Sequence, residues 1–564
     1  MNPPPFSVSV SPALTVAPSK ATATRRSVLG FGATSTLSFL AMGGAAGEAQ
    51  AKSSGSAALN PARLLGLSHR QQAALRIREE AAVRQSKIRV AAPQVNADEA
   101  LFPQALGSYT KGLPHDDRGV VDPAAWTAFI KAMNTGLKAD LDLIPMGGTV
   151  KQANPQGAFA FEMSGADSHA LRMPPPPSFS SAETAGEMVE LYAHSLLRDV
   201  PFESYATDPG VAPVLDSLNR LTEFKAPRSG QAITAGTLFR GMTPGELNGH
   251  YLSQFLLLPI PCGAQTITQT YRVTAQGDDH VTTPAEWLRN QRGLAPARPN
   301  TFDPVLRYLT TGRDLGEYVH RDYPCQAFHN AGLILMGLKA PVNPGNPYLA
   351  SANQGGFVTF GLADMLSRVS EISRLALKAA WFQKWRLHRR LRPEAYAGRV
   401  DQMLNNEASY PLHRDVLQSP ILQAIYNQSG SHLLPLAYPE GAPTHPAYPS
   451  GHATIAGACI TVLKAFFDPN FVLRAPVVVD PASNGTALKP LAATLTVEGE
   501  LNKLAGNLSI GRNLAGVHWR SDAQEGLMLG QAVALSALHD WKLTYHETPG
   551  PISFRGFNGE DITV

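Results

Sequence analysis

Long runs at helical spacing, cut apart by proline-rich connections, leave this chain little sequence from which to build a sheet. Asn60 to Lys87 sets alanine, leucine and arginine at that spacing. Asp122 to Leu143 repeats the pattern, with Pro123 near its start. Glu183 to Leu197 places Met188, Leu191, Tyr192 and Leu196 on one apolar face. Further helices are predicted over Glu317–Leu338, Phe357–Leu391, Thr454–Phe467, Glu498–Ala515 and Ala523–Trp541. The proline-rich loop Asn427–Ser450 is long enough to suggest a functional one. Asn484-Gly485 is a hairpin signal between Val477 and Val497. No internal repeat is evident. The pattern predicts an all-α fold: helical bundles, two of them four-helix bundles, with long loops and at most a small β-hairpin.

Composition narrows the class. With 44% hydrophobic residues among 564, a full core is available and general disorder is excluded. Lysine and arginine number 48 against 45 aspartates and glutamates, so no nucleic-acid surface is indicated. A local cluster of positive charge then implies a small anion. Cys262, Cys325 and Cys459 form no CxxC pair, which excludes a zinc or thioredoxin motif. One disulfide and three free thiols both stay open, and Cys459 lies in an apolar stretch.

Residues 1–51 read as a leader rather than as fold. Thr24 to Phe31 contains the twin arginines Arg25-Arg26, an uncharged run follows to Ala46, and Ala49-Gln50-Ala51 offers a small-residue cleavage site. The competing reading is a membrane anchor. The expectation is export by the twin-arginine route, a periplasmic or extracellular location, and a mature chain without membrane spans. Residues 52–350 form an N-terminal helical region. Residues 351–564 form the C-terminal region that carries the candidate site, packed with the first as one unit.

Three segments carry chemistry. In Lys384-Trp385-Arg386-Leu387-His388-Arg389-Arg390-Leu391-Arg392-Pro393-Glu394, Lys384 and His388 share a face on an α-helix. Pro393 pushes Arg392 out of helical geometry, so that Lys384 and Arg392 can converge on one anion. A solvated basic face is the alternative. In His445-Pro446-Ala447-Tyr448-Pro449-Ser450-Gly451-His452, Ser450 and Gly451 offer a hydroxyl and free N–H groups at a helix N-terminus, and His452 is placed for acid–base work. Plain capping by Ser450 is the alternative. In Gly511 to Asp522, Arg512 supplies a planar fork of donors. Asp522, four residues after His518, can hold its Nδ1 proton and free Nε2 as nucleophile or metal ligand. A surface His–Asp contact is the alternative.

In this order, the Lys…Arg-Pro element, Ser-Gly-His and Arg-x5-His-x3-Asp resemble the superfamily of vanadium haloperoxidases and type 2 acid phosphatases. Seven residues separate Lys384 from Arg392, as in the algal-type bromoperoxidases rather than the phosphatases. Tyr251 to Leu257, Ala327 to Ala331 and Gly355 to Gly361 also look like the algal and cyanobacterial enzymes. The resemblance runs from about residue 60 to the C-terminus.

That resemblance implies vanadate as cofactor, one per subunit, with His518 on the vanadium and Lys384, Arg392, Arg512, Ser450 and Gly451 on its oxygens. It implies His452 as the acid–base group and Lys384 as the group that polarises bound peroxide. Hydrogen peroxide, halide and an organic acceptor would be the substrates, and a homo-oligomer the assembly. His445 stands where the family's bromoperoxidases carry histidine and the fungal chloroperoxidases phenylalanine, which favours bromide and iodide. Trp381 and Phe382 are candidates for a halide pocket, or plain core. An acid phosphatase using the same cage, and a non-catalytic oxyanion-binding protein, are the competing functions. Retention of both histidines argues against the second.

Overall fold

The helix Gly451–Phe466 is buried along nearly its whole length in the computed structural model, which describes residues 66–90 and 92–564. Its alanines, glycines, isoleucines and valine, with Thr454 and Thr461 bonded back to carbonyls one turn earlier, leave no broad polar face for water, so it must be surrounded. Leu362–Trp381, Val497–Leu514 and Arg520–Lys542 surround it, and the four make a helical bundle. Two glycines set the closest approach. A β-carbon on Gly457 would collide with the Leu527 carbonyl, and one on Gly530 would sit 2.6 Å from the Ala458 nitrogen. Small residues here bring two backbones together and so fix the start of Gly451–Phe466 against the start of Arg520–Lys542.

Ala182–Leu197 organises the second group of helices. It packs against Val211–Asn219, Arg414–Leu417 and Ile421–Ser429, and reaches Val497–Leu514. Gly312–Arg321 lies on that same helix. One apolar core runs through both groups without a break.

Several predicted helices change at their ends for local reasons. Asp122–Leu143 is two helices, Pro123–Thr135 and Lys138–Asp142, because Gly136 (φ 65°) caps the first. Glu317–Leu338 divides into Gly312–Arg321 and Gln326–Gly337, since Tyr323 precedes Pro324 and is barred from α geometry. The first of these begins early, behind a capping box of Thr311 and Asp314. The predicted helix from Phe357 starts only at Leu362 and stops being α-helical after Trp381. The long proline-rich loop starts at Gly430, since Asn427–Ser429 still belongs to a helix. The leader and the start of the predicted Asn60–Lys87 helix lie outside the described residues; the visible helix is His69–Ser86.

Strand content is slightly larger than expected. Val477–Val479 pairs antiparallel with Leu488–Pro490, and Asn484 (φ 50°) and Gly485 (φ 81°) in the connection are both left-handed. Ile260–Cys262 with Gln265–Ile267, and Ser553–Arg555 with Asp561–Thr563, are two further ribbons. Strands of three residues carry too few alternations to register as a period of two. The three cysteines are all free, with Cys459 buried, Cys325 half-buried and Cys262 exposed. Among the described residues no helix is long and apolar enough to cross a membrane.

Gly530→Ala should destabilise the protein by about 3 kcal/mol or more, because backbone rather than a flexible side chain stands in the way. Chemical denaturation measures this. An unchanged midpoint would mean that the two helices can separate freely.

Candidate active site

Past Trp381 the helix widens into a π-helical turn, Phe382–His388. Arg389 closes it in the left-handed region (φ 37°, ψ 38°), a conformation that strains a non-glycine residue by ~1–3 kcal/mol. Its surroundings hold it there. Its N–H donates to the Lys384 carbonyl at 3.0 Å and its carbonyl accepts from the Tyr109 N–H at 2.7 Å. Its guanidinium donates to both Glu99 oxygens at 2.7 and 3.0 Å. The wide turn alters the face expected of an α-helix. Lys384 Nζ donates to the Pro446 and Ala447 carbonyls at 2.7 and 2.8 Å, whereas the His388 ring stands edge-on to Tyr448.

Arg392 is extended (φ −85°, ψ 154°) immediately before Pro393, which opens the helix Pro393–Leu404. Its guanidinium is the hub of the cluster. Nε donates to the His445 carbonyl at 2.9 Å, and Nη2 to His445 Nδ1 at 2.9 Å. Nη1 reaches the Val517 carbonyl at 2.6 Å and His518 Nε2 at 3.0 Å. His518 in turn donates from Nδ1 to Asp522 Oδ2 at 2.7 Å. The carboxylate therefore fixes the ring, and Nε2 carries the lone pair.

Asp522 is itself pinned. It accepts from Arg390 Nη1 at 2.9 Å and from the Trp519 N–H at 3.1 Å, and its carbonyl accepts the Ser450 N–H at 2.9 Å. Arg390 also donates to Glu187 at 3.0 Å, and Arg520 forms a buried pair with Glu190. Glu187 and Glu190 stand on Ala182–Leu197, so the second helix group braces the loop that presents His518.

Ser450 caps Gly451–Phe466, its Oγ accepting from the Ala453 N–H at 3.4 Å, which leaves its O–H free to donate. A β-carbon at Gly451 would meet Trp381 and Leu377 only at 3.5 and 3.7 Å. Protein packing alone therefore does not demand glycine there. His452 Nε2 bonds Asp322 Oδ1 at 2.9 Å, which leaves Nδ1 free. Trp381 is half-buried, donates to the Ala153 carbonyl at 3.1 Å and lies 4.9 Å from the His445 ring. Arg512 donates to the Val319 carbonyl at 3.0 Å and to Tyr438 Oη at 3.2 Å, and its guanidinium lies over the Tyr438 ring.

Three buried cations without carboxylate partners meet here; among the described residues Arg399 and Lys464 are likewise buried without an ion pair, but no other cation bears on either. Buried Arg390, Arg520, Lys111 and Lys503 each pair with a carboxylate. Lys384, Arg392 and Arg512 are as deeply buried, yet among the described residues none is within ion-pair distance of one. Arg512 Nε is buried with no acceptor at all. Burial, and then the Arg392 charge, push Lys384 well below the usual lysine range, while Asp522 pulls it back. Burial also brings Arg392 down to about 10. Burial, then Arg392 and Lys384, hold His518 well below its usual value and therefore neutral. His445 is held neutral by burial and by Lys384 and Arg392. Excess buried cations, a spare donor on Arg512 and a neutral imidazole whose Nε2 lone pair faces only the Arg392 guanidinium suit an oxyanion whose central atom accepts a nitrogen ligand.

The structure thus brings Lys384, Arg392, Arg512, His445, His518 and Asp522 together, with Ser450, Gly451 and Trp381 at their edge. His452 is turned toward Asp322. The sequence reading missed Asp322, Tyr438, Arg390, Glu187 and Glu190. Arg390 stands in the basic segment, and Glu187 and Glu190 lie on a helix that also carries Glu183 and His194, so nothing local marks them out.

Residues 376–546 match the family described as VCPO second helical-bundle domain. The chain is 34% identical over 531 residues to the vanadium-dependent bromoperoxidase of Corallina officinalis, a match that covers 79% of this chain and 89% of that protein. It is 33% identical over 495 residues to the vanadium-dependent bromoperoxidase of Ascophyllum nodosum, covering 84% and 88%. The homohexameric structure of the second vanadate-dependent bromoperoxidase from Ascophyllum nodosum is similar with a TM-score of 0.83 and 28% identity, over 88% of this chain and 90% of that one.

Inorganic phosphate should bind the cluster in competition with vanadate. Lys384→Met and Arg512→Met should each weaken it roughly 10- to 100-fold, the loss of one or two hydrogen bonds to a charged group. Calorimetry reads the affinity, and wild-type affinity in both variants would mean that the unpaired cations do not face the anion.

Proposed function

This chain belongs to the vanadium-dependent bromoperoxidase family, and on that premise we propose that it oxidises bromide with hydrogen peroxide to hypobromous acid, with vanadate as cofactor. The observation that carries this reading is the trio of buried cations without carboxylates around a neutral His518. Iodide, more easily oxidised than bromide, is a second substrate.

His518 would hold the vanadium through Nε2, with Asp522 keeping the lone pair on that nitrogen and Arg392 Nη1 turning its hydrogen bond from it to the oxygens. Lys384, Arg392 and Arg512 would neutralise the oxygens, joined by the Ser450 hydroxyl and the Gly451 N–H. Bound vanadate supplies a Lewis-acidic centre that makes hydrogen peroxide electrophilic toward halide. His452 has one nitrogen committed to Asp322 and one free. It can therefore accept a proton at Nδ1 from incoming peroxide and return it to the departing oxygen. Asp322 acts as a positioning residue, since its carboxylate stabilises the imidazolium formed in between. Lys384 would donate a hydrogen bond to the reacting oxygens, and burial, then the charge of Arg392, make it a more acidic donor than an ordinary lysine.

His445 and Trp381 are proposed to set the halide preference. His445 accepts from Arg392 and faces the Trp381 ring, so a change there alters both the charge and the polarity at the edge of the cluster. The twin-arginine leader supports export to the periplasm or beyond. The homohexameric relative supports a homo-oligomer.

Purified protein, hydrogen peroxide, bromide and a chromogenic acceptor test the reading. Activity should need orthovanadate and fall with excess phosphate. Hydrolysis of a phosphate monoester, blocked by vanadate and without halide oxidation, would overturn it. His518→Ala should lose vanadate in equilibrium dialysis. His452→Ala should retain vanadate but turn over about 10²- to 10⁴-fold more slowly; an unchanged rate would remove His452 from the mechanism. His445→Phe should change bromide kcat/KM by roughly 10- to 100-fold through the lost bond to Arg392. Wild-type kinetics with every halide would make His445 a bystander.

A further inference from the structure

The π-helical turn has a second side. Lys384 points into the anion cluster, but Phe382, Gln383, Leu387 and His388 border a cleft of about 370 Å³, which Met173 and Arg172 close from the facing segment. Phe382, Leu387 and Met173 make most of its lining apolar, the usual character of a small-molecule site with a few polar anchors.

His388 is the unusual member. Both ring nitrogens are buried and neither has a hydrogen-bond partner. Its neighbours do not supply one. The Gln383 amide donates to the Leu171 carbonyl at 3.1 Å, and the Tyr448 hydroxyl to the Pro174 carbonyl at 2.7 Å. Tyr448 meets the imidazole only with its ring, perpendicular at 4.9 Å between centroids. Buried polar groups are nearly always satisfied, so an imidazole with two idle nitrogens at a cleft points to a ligand.

The chemistry of that ligand follows. Burial, then Arg389 and Arg390, bring His388 down to about 3, so the ring is neutral and offers one N–H and one lone pair. The ring itself gives no charge to an inorganic anion, and Arg172 at the rim donates to the Arg89 carbonyl at 2.7 Å. A hydroxyl donating to the lone pair suits it. Phe382 beside the imidazole suits a flat ring. A phenol has both features, and its acidic hydroxyl is a better donor than that of an alcohol.

We propose that this cleft binds a phenol, as the organic acceptor of oxidised bromine. The acceptor role rests on the bromide-oxidising reading; the binding site does not. Gln383 and Lys384 are consecutive, and Tyr448 stands two residues before Ser450, so cleft and cluster share one wall. Hypobromous acid released by the enzyme meets a ring held on its surface. The ring carbon ortho or para to the hydroxyl attacks bromine, forming C–Br as Br–O breaks. The Br–O electron pair leaves with hydroxide, which takes the displaced ring proton and becomes water. His388 accepts the phenolic hydrogen bond and so raises the electron density of the ring.

p-Cresol titrated into the full chain without vanadate or peroxide, followed by calorimetry and ligand-detected NMR, tests the site. Saturable binding is expected, at least tenfold weaker for toluene and at least tenfold weaker in His388→Leu and Phe382→Ala. His388→Gln, which keeps an acceptor, should lose less. Thermal melts check that the variants fold. In the vanadate-loaded enzyme the KM for p-cresol should rise about tenfold in His388→Leu, with bromide-dependent peroxide consumption unchanged. Absence of saturable binding, or wild-type affinity in both variants, would overturn the site. Binding without any halide oxidation would keep the site and remove the acceptor role. Bromination of p-cresol with a KM indifferent to His388 would also remove that role.

Discussion

One carboxylate, buried beyond the reach of water, ties the halves of this protein to its chemistry. Asp522 holds the His518 ring, pairs with Arg390 and receives the Trp519 N–H, while its own carbonyl receives Ser450. His518 and Trp519 come from the turn just before Asp522, and Arg390 and Ser450 from two other segments. Breaking a buried ion pair from one side costs about 3–5 kcal/mol, because a charge is left without compensation. Arg390 would keep Glu187 but lose half its balance. The same carboxylate therefore stabilises the fold and selects the tautomer that the site needs.

The contrast between two sets of buried cations defines the rest of the site. Arg390, Arg520, Lys111 and Lys503 are matched by acids and act as structure. Lys384, Arg392 and Arg512 lean on carbonyl oxygens and on neutral rings instead. Carbonyls orient a cation without cancelling it, so the field of all three survives at one place. Low polarisability around them makes that field strong. Burial, and after it this field, keep His445 and His518 neutral, since a further positive charge among these three would be repelled.

Much of this was legible in the chain because it is local. Helix-period runs located three of the four bundle helices to within a few residues, the fourth being α-helical only over Leu362–Trp381 of the predicted Phe357–Leu391, and the spacing of His518 and Asp522 located the His–Asp contact. Ser450, Gly451 and His452 read correctly as a helix start for the same reason. What escaped was non-local or a change of period. Glu187 meets Arg390, and Asp322 meets His452, only after the chain has closed on itself, and neither acid lies in a motif. The turn at Phe382–His388 is wider than an α-helix, so Lys384 and His388 part where α spacing joined them. Pro324 divides a run whose apolar pattern continues across it, and there stereochemistry outweighs periodicity.

The ties that hold the cluster span long stretches of sequence. Arg520 and Glu190 are 330 residues apart, Arg390 and Glu187 203, and Arg392 and His518 126. Closing loops of this length delays the contacts that depend on them until most of the chain is in place. Anion capture is then a late event in the maturation of the protein, and it monitors the integrity of the whole chain. A nick anywhere between Glu190 and Arg520 in the chain would turn an intramolecular clasp into an encounter between fragments, with retention of the cofactor governed by their concentration.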